Sequence, residues 1–393
     1  MRATCDVTIA GGGIVGCAIA HRLSAEGRRV VVVDGGTRLG TGASSAAMGG
    51  IITETDEMCL GPLRELVKRS RDLYPAWLET IIGLSGIQVP LLSTGALQIA
   101  LDDEEMTRLQ EEVLPRWRAI EAKVEPLSRH EVLRVEPLIS EEVRGGFHLP
   151  TELALEPTRL MSSLSAALWQ DPSIRIEPGS WVERVEVHAG GVAVTLDNGG
   201  RIESGHLVVA GGHLSGSLVP GHASLLLPIK GEAMEVLAPG SRGYPLRHHV
   251  YACVEGRDIY VVPRADGRLA VGVTYERGRS DTVPTAENLA VMRRGLAVLA
   301  PEAATWKHVR HWAGVRPGTL DGIPLIGHVE PHGRVVLATG HVGLGITLAP
   351  VTAELVGALL DRGRTAGAAT RALLGLCDPA RFSPAVAPAP TDG

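Results

Sequence analysis

The chain has 393 residues, 45% of them apolar, which is enough for two or three domains with a large core. Its formal net charge of −6 argues against a nucleic acid as the main partner. No apolar run reaches about 18 residues, so no membrane-spanning helix is predicted, and no signal peptide is visible. The five cysteines form no C-x-x-C pair, so we expect buried thiols in a reducing cytoplasm rather than disulfides or a metal site.

The first predicted elements form a β-α-β unit. Residues 7–10 have the pattern of a buried strand, a glycine-rich turn follows at 11–16, and the apolar face of residues 14–26 predicts a helix. Four valines at 30–33 predict a second strand, which ends at Asp34. Strands that are apolar throughout are typical of a parallel sheet that is buried on both faces.

The turn has the G-x-G-x-x-G spacing of a dinucleotide site, with Gly11, Gly13 and Gly16 at its three positions. The first glycine allows the tight turn, the second lets the backbone approach a pyrophosphate, and the third lets helix and sheet pack closely. Asp34 is placed to accept hydrogen bonds from ribose hydroxyls, and it disfavours the 2′-phosphate of NADP. These residues predict a bound dinucleotide but do not choose between FAD and NAD.

The rest of the chain alternates between helical and extended patterns. In chain order we predict a helix at 63–82, a strand at 96–100, charged helices near 103–122, strands at 174–176, 182–187, 192–196 and 207–210 with a hairpin turn at 198–199, a strand-rich block at 229–276, a helix at 285–299, a strand at 335–338, a loop at 340–345 and a helix at 348–360. The tail at 382–393 is rich in Pro and Ala, and we expect it to be disordered.

Several further stretches resemble the D-amino-acid-oxidase superfamily, and within it the branch of the glycine and sarcosine oxidases. They are residues 44–50, 207–215, 227–232, 260–264, 272–274, 312–327, 338–341 and 348–350. With the glycine turn they extend from residue 6 to about residue 362, and the resemblance makes FAD the expected dinucleotide.

The resemblance implies an α/β protein with two interleaved domains. A Rossmann-like FAD-binding domain would use residues 1–85, 150–220 and 316–365. A substrate-binding domain built on an antiparallel sheet would use residues 86–149 and 221–315.

The resemblance also implies contacts with FAD from several parts of the chain. The loop at 44–50 would wrap the flavin, and the turn near 340–347 would bring backbone amides to the flavin ring. The residues expected to bind FAD are Gly11, Gly13, Ile14, Val15, Gly16, Asp34, Gly35, Ser44, Ser45, Met48, Gly49, Gly50, Val182, Gly211, His341, Val342, Gly343, Leu344, Gly345, Ile346 and Thr347. Sarcosine oxidases attach flavin to a cysteine in the segment that matches 316–327, which has none here, so we expect non-covalent FAD.

Arg316 is the first candidate for substrate binding, because a guanidinium pairs bidentately with a carboxylate and the matching arginine of glycine oxidases does so. The alternative is a surface arginine. Tyr260 would reach the substrate carboxylate or line its pocket, or else be a core tyrosine with a bonded hydroxyl. Tyr275 matches a pocket position that is often methionine in the family.

Gly343 is a departure from the family pattern. Glycine oxidases usually carry an arginine two residues after the histidine that matches His341, whereas this chain has Gly343 there. The loss of that cation and the space gained favour an amine bulkier than glycine.

Other polar residues have less specific patterns. His341 is expected to be structural, because a neutral amine can be oxidised without a base. Lys230 would either lie near the flavin, where a cation favours reaction with dioxygen, or be a lysine bonded to backbone or water. His248–His249 and residues 54–57 lack metal-ligand spacing and are expected to be loop residues.

The resemblance implies an FAD-dependent amine oxidase that oxidises the C–N bond of glycine-like or N-substituted glycine substrates by hydride transfer to the flavin. The imine would hydrolyse to a 2-oxoacid, glyoxylate for glycine derivatives, and dioxygen would give hydrogen peroxide. The alternatives are a dehydrogenase of the same fold that passes electrons to a quinone or carrier protein, and a flavin-binding subunit without activity. A biosynthetic role is expected, and a homo-oligomer is compatible with the resemblance, because relatives often form dimers or tetramers.

Overall fold

The computed structural model describes residues 3–219, 221–240, 243–361 and 366–382. The tail predicted to be disordered, residues 382–393, lies outside these ranges except for Phe382. None of the described helices is both long and apolar enough to cross a membrane.

The first of three sheets has eight strands and contains the predicted β-α-β unit. In spatial order its main path consists of Val182–His188, Gly191–Leu196, Arg201–Val209, Ala3–Ala10, Val30–Asp34 and Ile174–Pro178. Val335–Thr339 pairs in parallel with the end of Arg201–Val209. Leu325–His328 is antiparallel to Val335–Thr339 and pairs with that strand. The predicted hairpin turn at 198–199 joins two of these strands, with Gly199 at a φ of 80°.

Alternate side chains of the parallel strands enter two cores on opposite faces of this sheet. Val30 and Val32 pack with helices on one face, whereas Val31 and Val33 pack with residues of the antiparallel strands on the other. The helices of the first core are Ile14–Ala25, Arg64–Ser85, Pro157–Gln170 and Gly345–Leu360. Burial on both faces explains the uninterrupted run of four valines.

The second sheet has nine strands and is mainly antiparallel. In spatial order it contains Lys307–Thr319, Leu226–Leu237, the pair Arg268–Gly272 and Glu276–Arg277, then Arg257–Pro263, His249–Val254, Ala96–Ala100, Gly145–Leu149 and Glu125–Ser128. Helices Arg129–Val135 and Ala286–Leu299 contribute to its core. The mixed architecture confirms the predicted fold class, while the residue ranges assigned to two domains stay a prediction.

The remaining elements are short. Gly50–Ile51, Leu153–Leu155 and Leu91–Leu92 form a small antiparallel sheet. The other helices are Ala43–Ala46, Asp103–Arg108, the π-turn Leu109–Val113, Leu114–Ala119, Ala368–Cys377 and the 3-10 turns Gly212–Leu218, Ala223–Leu225, Ala303–Thr305 and Pro379–Phe382.

Most predicted elements are confirmed, but three α-helices of seven or more residues were not predicted. They lie in segments for which the sequence pattern predicted no element, and they are Arg129–Val135, Pro157–Gln170 and Ala368–Cys377. The last long helix begins at Gly345, three residues before the predicted start, because its first turn follows directly from the glycine-rich segment.

Leu348 tests the packing of this last helix. It is completely buried, so Leu348→Ala is expected to lower the free energy of unfolding by about 2–5 kcal/mol. Leu84→Ala, at a helical leucine that is 51% exposed, should change it by less than about 0.5 kcal/mol. Denaturant titration of both variants measures the difference, and equal effects would contradict the assigned core.

Candidate active site

A cavity of about 840 Å³ lies at the carboxyl ends of the parallel strands, within the usual size range of ligand sites. Ala10, Asp34, Ala210 and Thr339, which end or directly follow four of these strands, line it. Its far wall comes from the second sheet, mainly from strand Lys307–Thr319. Ligands of open α/β sheets bind at this edge.

The glycine turn forms one wall through very close backbone contacts. Gly11 has a φ of 117°, and a Cβ there would overlap the carbonyl oxygen of Ala210. A Cβ on Gly16 would overlap the carbonyl oxygen of Gly11. The helix Ile14–Ala25 therefore begins directly at the cavity, where its free N–H groups and dipole favour an anion such as a pyrophosphate.

Asp34 is positioned by this turn and helps to hold it. Its Oδ2 accepts a hydrogen bond from the Gly12 N–H at 2.6 Å, and its Oδ1 accepts one from the Gly36 N–H at 2.8 Å. The indole of Trp181 lies over Gly35, so closely that a Cβ there would overlap the ring. The sequence analysis did not assign Trp181 to the site. Its position next to the predicted Val182 is a signal that could have found it, because a half-exposed tryptophan ring can pack on a flat ligand near Asp34.

The predicted flavin loop, residues 44–50, is fixed by side chains from the second sheet. Arg264 is buried and donates to the carbonyl oxygens of Met48 at 2.8 Å and Leu155 at 3.0 Å. Trp312 Nε1 donates to the carbonyl oxygen of Ala46 at 3.0 Å. Neither residue was assigned this role from the sequence, because each acts through a backbone atom far away in the chain.

The segment 341–346 forms the opposite wall and is held in an unusual backbone conformation. Val342 has a φ of 48°, and its N–H donates to the carbonyl oxygen of Pro317 at 2.9 Å. His341 Nε2 lies 2.9 Å from the hydroxyl of Thr352, and burial lowers the pKa of His341 to about 4. The imidazole is therefore neutral at pH 7 and ties the turn to the following helix, which fits the expected structural role.

The start of helix Gly345–Leu360 also lines the cavity. Its N-terminal dipole stabilises negative charge on a bound group. The predicted role for backbone amides at this position is therefore compatible with the geometry.

Arg316 lies at the other end of the cavity, together with Tyr275 and Gly343. Its guanidinium stacks on the ring of Tyr275 at 4.2 Å and donates to the carbonyl oxygen of Thr274 at 3.0 Å. A Cβ on Gly343 would lie 3.6 Å from the Tyr275 hydroxyl and 3.9 Å from Arg316 Nε. Burial lowers the pKa of Arg316, but an arginine in a protein stays protonated.

The cation of Arg316 has no carboxylate within 4.0 Å among the described residues. The other buried arginine of this region, Arg264, has Glu235 at 3.6 Å. A partly buried guanidinium without an acidic partner is poised for an external anion.

Tyr260 also lines the cavity, but its hydroxyl is engaged. It lies 2.8 Å from His249 Nδ1, and the ring stacks on Tyr251 with centroids 4.1 Å apart. The hydroxyl also abuts Gly50, where a Cβ would overlap it. This arrangement matches the alternative of a core tyrosine with a bonded hydroxyl, and contact with the substrate carboxylate stays a prediction.

The cavity brings together all but two of the predicted cofactor and substrate residues. Gly16 lies behind the wall, where it has the helix-packing role expected of a third glycine. Thr347 does not line the cavity, so its contact with FAD stays a prediction. Its hydroxyl accepts from the Ile52 N–H at 3.0 Å and donates to the carbonyl oxygen of Gly50 at 3.3 Å, so it fixes the flavin loop from behind.

The less specific expectations have different outcomes. Lys230 does not line the cavity, and its ammonium bonds to Asp281 at 2.9 Å and to the backbone carbonyl oxygen of Val283 at 2.5 Å, which matches the alternative of a backbone-bonded lysine. The expectation of loop residues at His248–His249 and 54–57 is corrected in part. His249 is not a loop residue but begins a strand and is completely buried, and Glu54 is in a loop but is only 1% exposed. In the described part of the chain, no group of three or more potential ligands could hold a metal ion.

The sequence profile of the FAD-dependent oxidoreductases known as DAO matches residues 6–359. The chain belongs to this DAO family. It is 32% identical to the glycine oxidase of Geobacillus kaustophilus over 366 residues, which cover 92% of this chain and 94% of that one. It is 29% identical to the glycine oxidase of Bacillus subtilis, covering 90% of this chain and 92% of the relative.

The solved structures agree with these relatives. The crystal structure of glycine oxidase from Geobacillus kaustophilus superimposes with a TM-score of 0.86 at 29% identity, covering 96% of this chain and 98% of that chain. The predicted family and the FAD cofactor are thus confirmed. This DAO-family protein is an FAD-dependent oxidoreductase of the glycine oxidase type.

The residues at the cavity fit FAD. The turn 11–16 and the start of helix Ile14–Ala25 would hold the pyrophosphate, Asp34 the ribose and the loop 44–50 the flavin. A Cβ at Gly11 would overlap the carbonyl oxygen of Ala210, and a Cβ at Gly16 would overlap that of Gly11. Neither position therefore has room for a side chain, and the backbone itself forms the cavity wall at Gly11. When bound, FAD supplies the acceptor for a hydride from the substrate.

Gly16 tests this cradle. We expect Gly16→Ala to weaken FAD binding about 10- to 100-fold, because the added methyl group displaces the turn at Gly11. Gly83→Ala is the matched control, since Gly83 is also helical but has no atom within 4 Å of its would-be Cβ. Reconstitution of each apoprotein with FAD, followed by flavin fluorescence, measures the affinity. Unchanged binding in Gly16→Ala would contradict the assignment.

Proposed function

We propose that this protein is an amine oxidase that binds an α-amino acid by its carboxylate at Arg316 and oxidises the C–N bond next to it. The observation that carries the proposal is the guanidinium of Arg316, which lies in the FAD cavity without an acidic partner among the described residues. A bidentate pair would fix the α-carbon, so that its hydrogen can be transferred at close range.

The proposed reaction yields an imine, which water converts to a 2-oxoacid and an amine. Dioxygen is the proposed final electron acceptor, giving hydrogen peroxide, and FAD is proposed to be bound without a covalent link. The proposed hydride transfer needs no side chain that polarises a carbonyl group. His341 lies in the turn at the cavity and is bonded to Thr352. His341 is therefore not assigned a role in acid–base chemistry.

The substrate class follows from the open end of the cavity. Gly343 and Tyr275 are both exposed, so this end is in contact with solvent. The Tyr275 ring fills part of the space next to Gly343 and leaves a wall that is aromatic rather than cationic. We infer that N-substituted glycines or larger amino acids are better substrates than glycine.

Two alternatives differ in what they predict. A dehydrogenase of the same fold would bleach with the same amines but produce little hydrogen peroxide under air. A flavin-binding subunit without activity would not bleach with any amine. The arrangement of Arg316 and Tyr275 favours an enzyme, because an inactive subunit has no need of a partly buried cation without an acidic partner.

Arg316→Ala tests carboxylate binding. We expect kcat/KM for every amino acid substrate to fall about 100- to 1,000-fold, because the carboxylate loses a charged bidentate partner. Arg69→Ala, at a half-exposed arginine paired with Glu354 on the surface, should leave kcat/KM unchanged. Anaerobic flavin bleaching and peroxide release under air are measured together. Normal bleaching by Arg316→Ala would contradict the proposal.

Gly343→Arg tests substrate class. The new side chain should restore a second cation and occupy the space beside Tyr275, lowering kcat/KM for N-alkyl and N-carboxyalkyl glycines relative to glycine by about tenfold or more. Gly343→Ala is the control, because its Cβ makes only ordinary contacts. The measurement is the ratio of kcat/KM values for each amine and glycine. A wild-type protein that prefers glycine would refute the inference.

A further inference from the structure

A buried group of polar residues lies directly behind the cavity wall and has no part in the function described so far. It contains Tyr260, His249 and Glu152, which come from strands Arg257–Pro263 and His249–Val254 and from the turn before Leu153–Leu155. Glu152 and His249 are completely buried, and Tyr260 is 6% exposed. Only Tyr260 lines the cavity, so it connects the group to the site.

These side chains form a chain of polar atoms. The Tyr260 hydroxyl lies 2.8 Å from His249 Nδ1. His249 Nε2 lies 3.9 Å from Glu152 Oε2, and neither of these two atoms has another hydrogen-bond partner among the described residues. Buried polar atoms are rarely left unpaired, and a small movement or one water molecule would join these two.

The two oxygens of Glu152 have different surroundings. Oε1 accepts hydrogen bonds from the backbone N–H groups of Thr53, Glu54 and Thr55 and from the Thr55 hydroxyl, at 2.8 to 3.2 Å. Oε2 has no hydrogen-bond partner among the described residues, and His249 Nε2 lies 3.9 Å from it. Glu152 therefore has one oxygen for binding a proton, and that oxygen points along the chain to Tyr260.

Charges around the group allow Glu152 to gain and lose a proton near neutral pH. Burial and the nearby carboxylate of Glu54 raise the pKa of Glu152 to about 7, although the hydrogen bonds to its Oε1 oppose this shift. Glu54 is itself paired with Arg64 at 3.0 Å. Burial, with the carboxylates of Asp56, Glu152 and Glu54, raises the pKa of the nearby Cys59 thiol. Tyr251 stacks on Tyr260.

His249 is neutral in this environment. Burial, with a smaller contribution from His248, lowers the pKa of His249 to about 3. His248 is in turn bonded to Glu136 at 2.7 Å. A neutral imidazole with one polar atom on each side can pass a proton by exchanging its tautomers, without becoming charged.

We propose that Tyr260, His249 and Glu152 form a proton relay that takes the proton of the substrate ammonium and holds it on Glu152. In the first arrangement, Tyr260 donates to His249 Nδ1, and His249 Nε2 donates to ionised Glu152. In the second, protonated Glu152 donates to Nε2, Nδ1 donates to Tyr260, and the tyrosine donates to the cavity. This relay rests on the proposed amine oxidation.

The step balances without a further reactant. An N–H bond of the ammonium breaks, an O–H bond forms at Glu152 Oε2, and the hydrogens on Tyr260 and His249 are exchanged along the way. The electron pair of the broken bond stays on nitrogen, where it can stabilise the iminium that forms as the α-hydrogen leaves. The reduction of dioxygen to hydrogen peroxide consumes one proton, which Glu152 can return by the same path.

The first test measures protonation directly, in the oxidised FAD-loaded enzyme and without turnover. The probe is 2-aminoisobutyrate, which carries an ammonium and a carboxylate but has no α-hydrogen to transfer. Its infrared difference spectrum should contain the carbonyl stretch of a newly protonated carboxylic acid. The band should be absent in Glu152→Gln and Tyr260→Phe, and present in Tyr251→Phe, which keeps the stacked ring. The matched ligand 2-methylpropanoate, which lacks the ammonium, should give no band.

The outcomes separate the relay from the proposed function. If neither ligand perturbs the flavin absorption, carboxylate binding fails and the proposed function is wrong. If 2-aminoisobutyrate binds but the acid band is missing, or persists in Glu152→Gln, the relay is wrong and the proposed function stands.

Kinetics give a second readout. In the wild type, the rate of anaerobic flavin bleaching by a substrate should fall as the pH drops through about 7, because Glu152 is then protonated and cannot accept another proton. In Glu152→Gln the rate at pH 8 should be about 100-fold lower, as for the loss of a general base, and recover towards the pKa of the substrate amine. An unchanged pH profile in Glu152→Gln would overturn the relay.

Discussion

The contact between Gly16 and the carbonyl oxygen of Gly11 determines where the site of this protein lies. Because a single methyl group would separate them, the first helix can begin only where the turn leaves the sheet. The glycine turn itself packs against the backbone of Ala210, which directly follows a neighbouring parallel strand. These backbone contacts place the N-terminus of the helix, Asp34 and the following loop at one edge of the sheet, where a pyrophosphate can be bound.

The second sheet depends on a different kind of interaction. Arg264 is buried and reaches from its strand to carbonyl oxygens on the flavin loop and on the small third sheet. Glu235 lies 3.6 Å from it in an ion pair and accepts hydrogen bonds from Arg268 and Arg310. Loss of Arg264 would leave buried Glu235 with one cation fewer, which costs stability. It would also remove the hydrogen-bond donor that holds the carbonyl oxygen of Met48 in the flavin loop, so Arg264 contributes both to stability and to the shape of the site.

The sequence predicts the site best where the chemistry is local or follows a strong family pattern. The glycine turn and Asp34 lie within one β-α-β unit, so their spacing alone predicted their proximity. Arg316, Tyr275 and Gly343 are far apart in the chain, and it was the resemblance that predicted their meeting. The structure adds that Tyr275 stacks on Arg316 and narrows the space that Gly343 leaves.

The residues that were missed act across long separations and through ordinary residue types. Glu152 and His249 meet only because two strands and a turn converge behind Tyr260, and neither has a pattern that distinguishes it from a surface residue. Trp312 and Arg264 act on backbone carbonyl groups, which no side-chain motif reveals. Thr347 was assigned to the cofactor because of its neighbours, whereas its own position in the helix turns it to the back of the wall.

A crystal structure of the FAD-loaded protein with 2-methylpropanoate bound would test most directly whether Arg316 binds the substrate carboxylate. We expect both carboxylate oxygens to contact the guanidinium of Arg316, with the carbon skeleton lying between the flavin and Tyr275. A carboxylate bound elsewhere in the cavity, with Arg316 directed away from it, would rule out this role of Arg316.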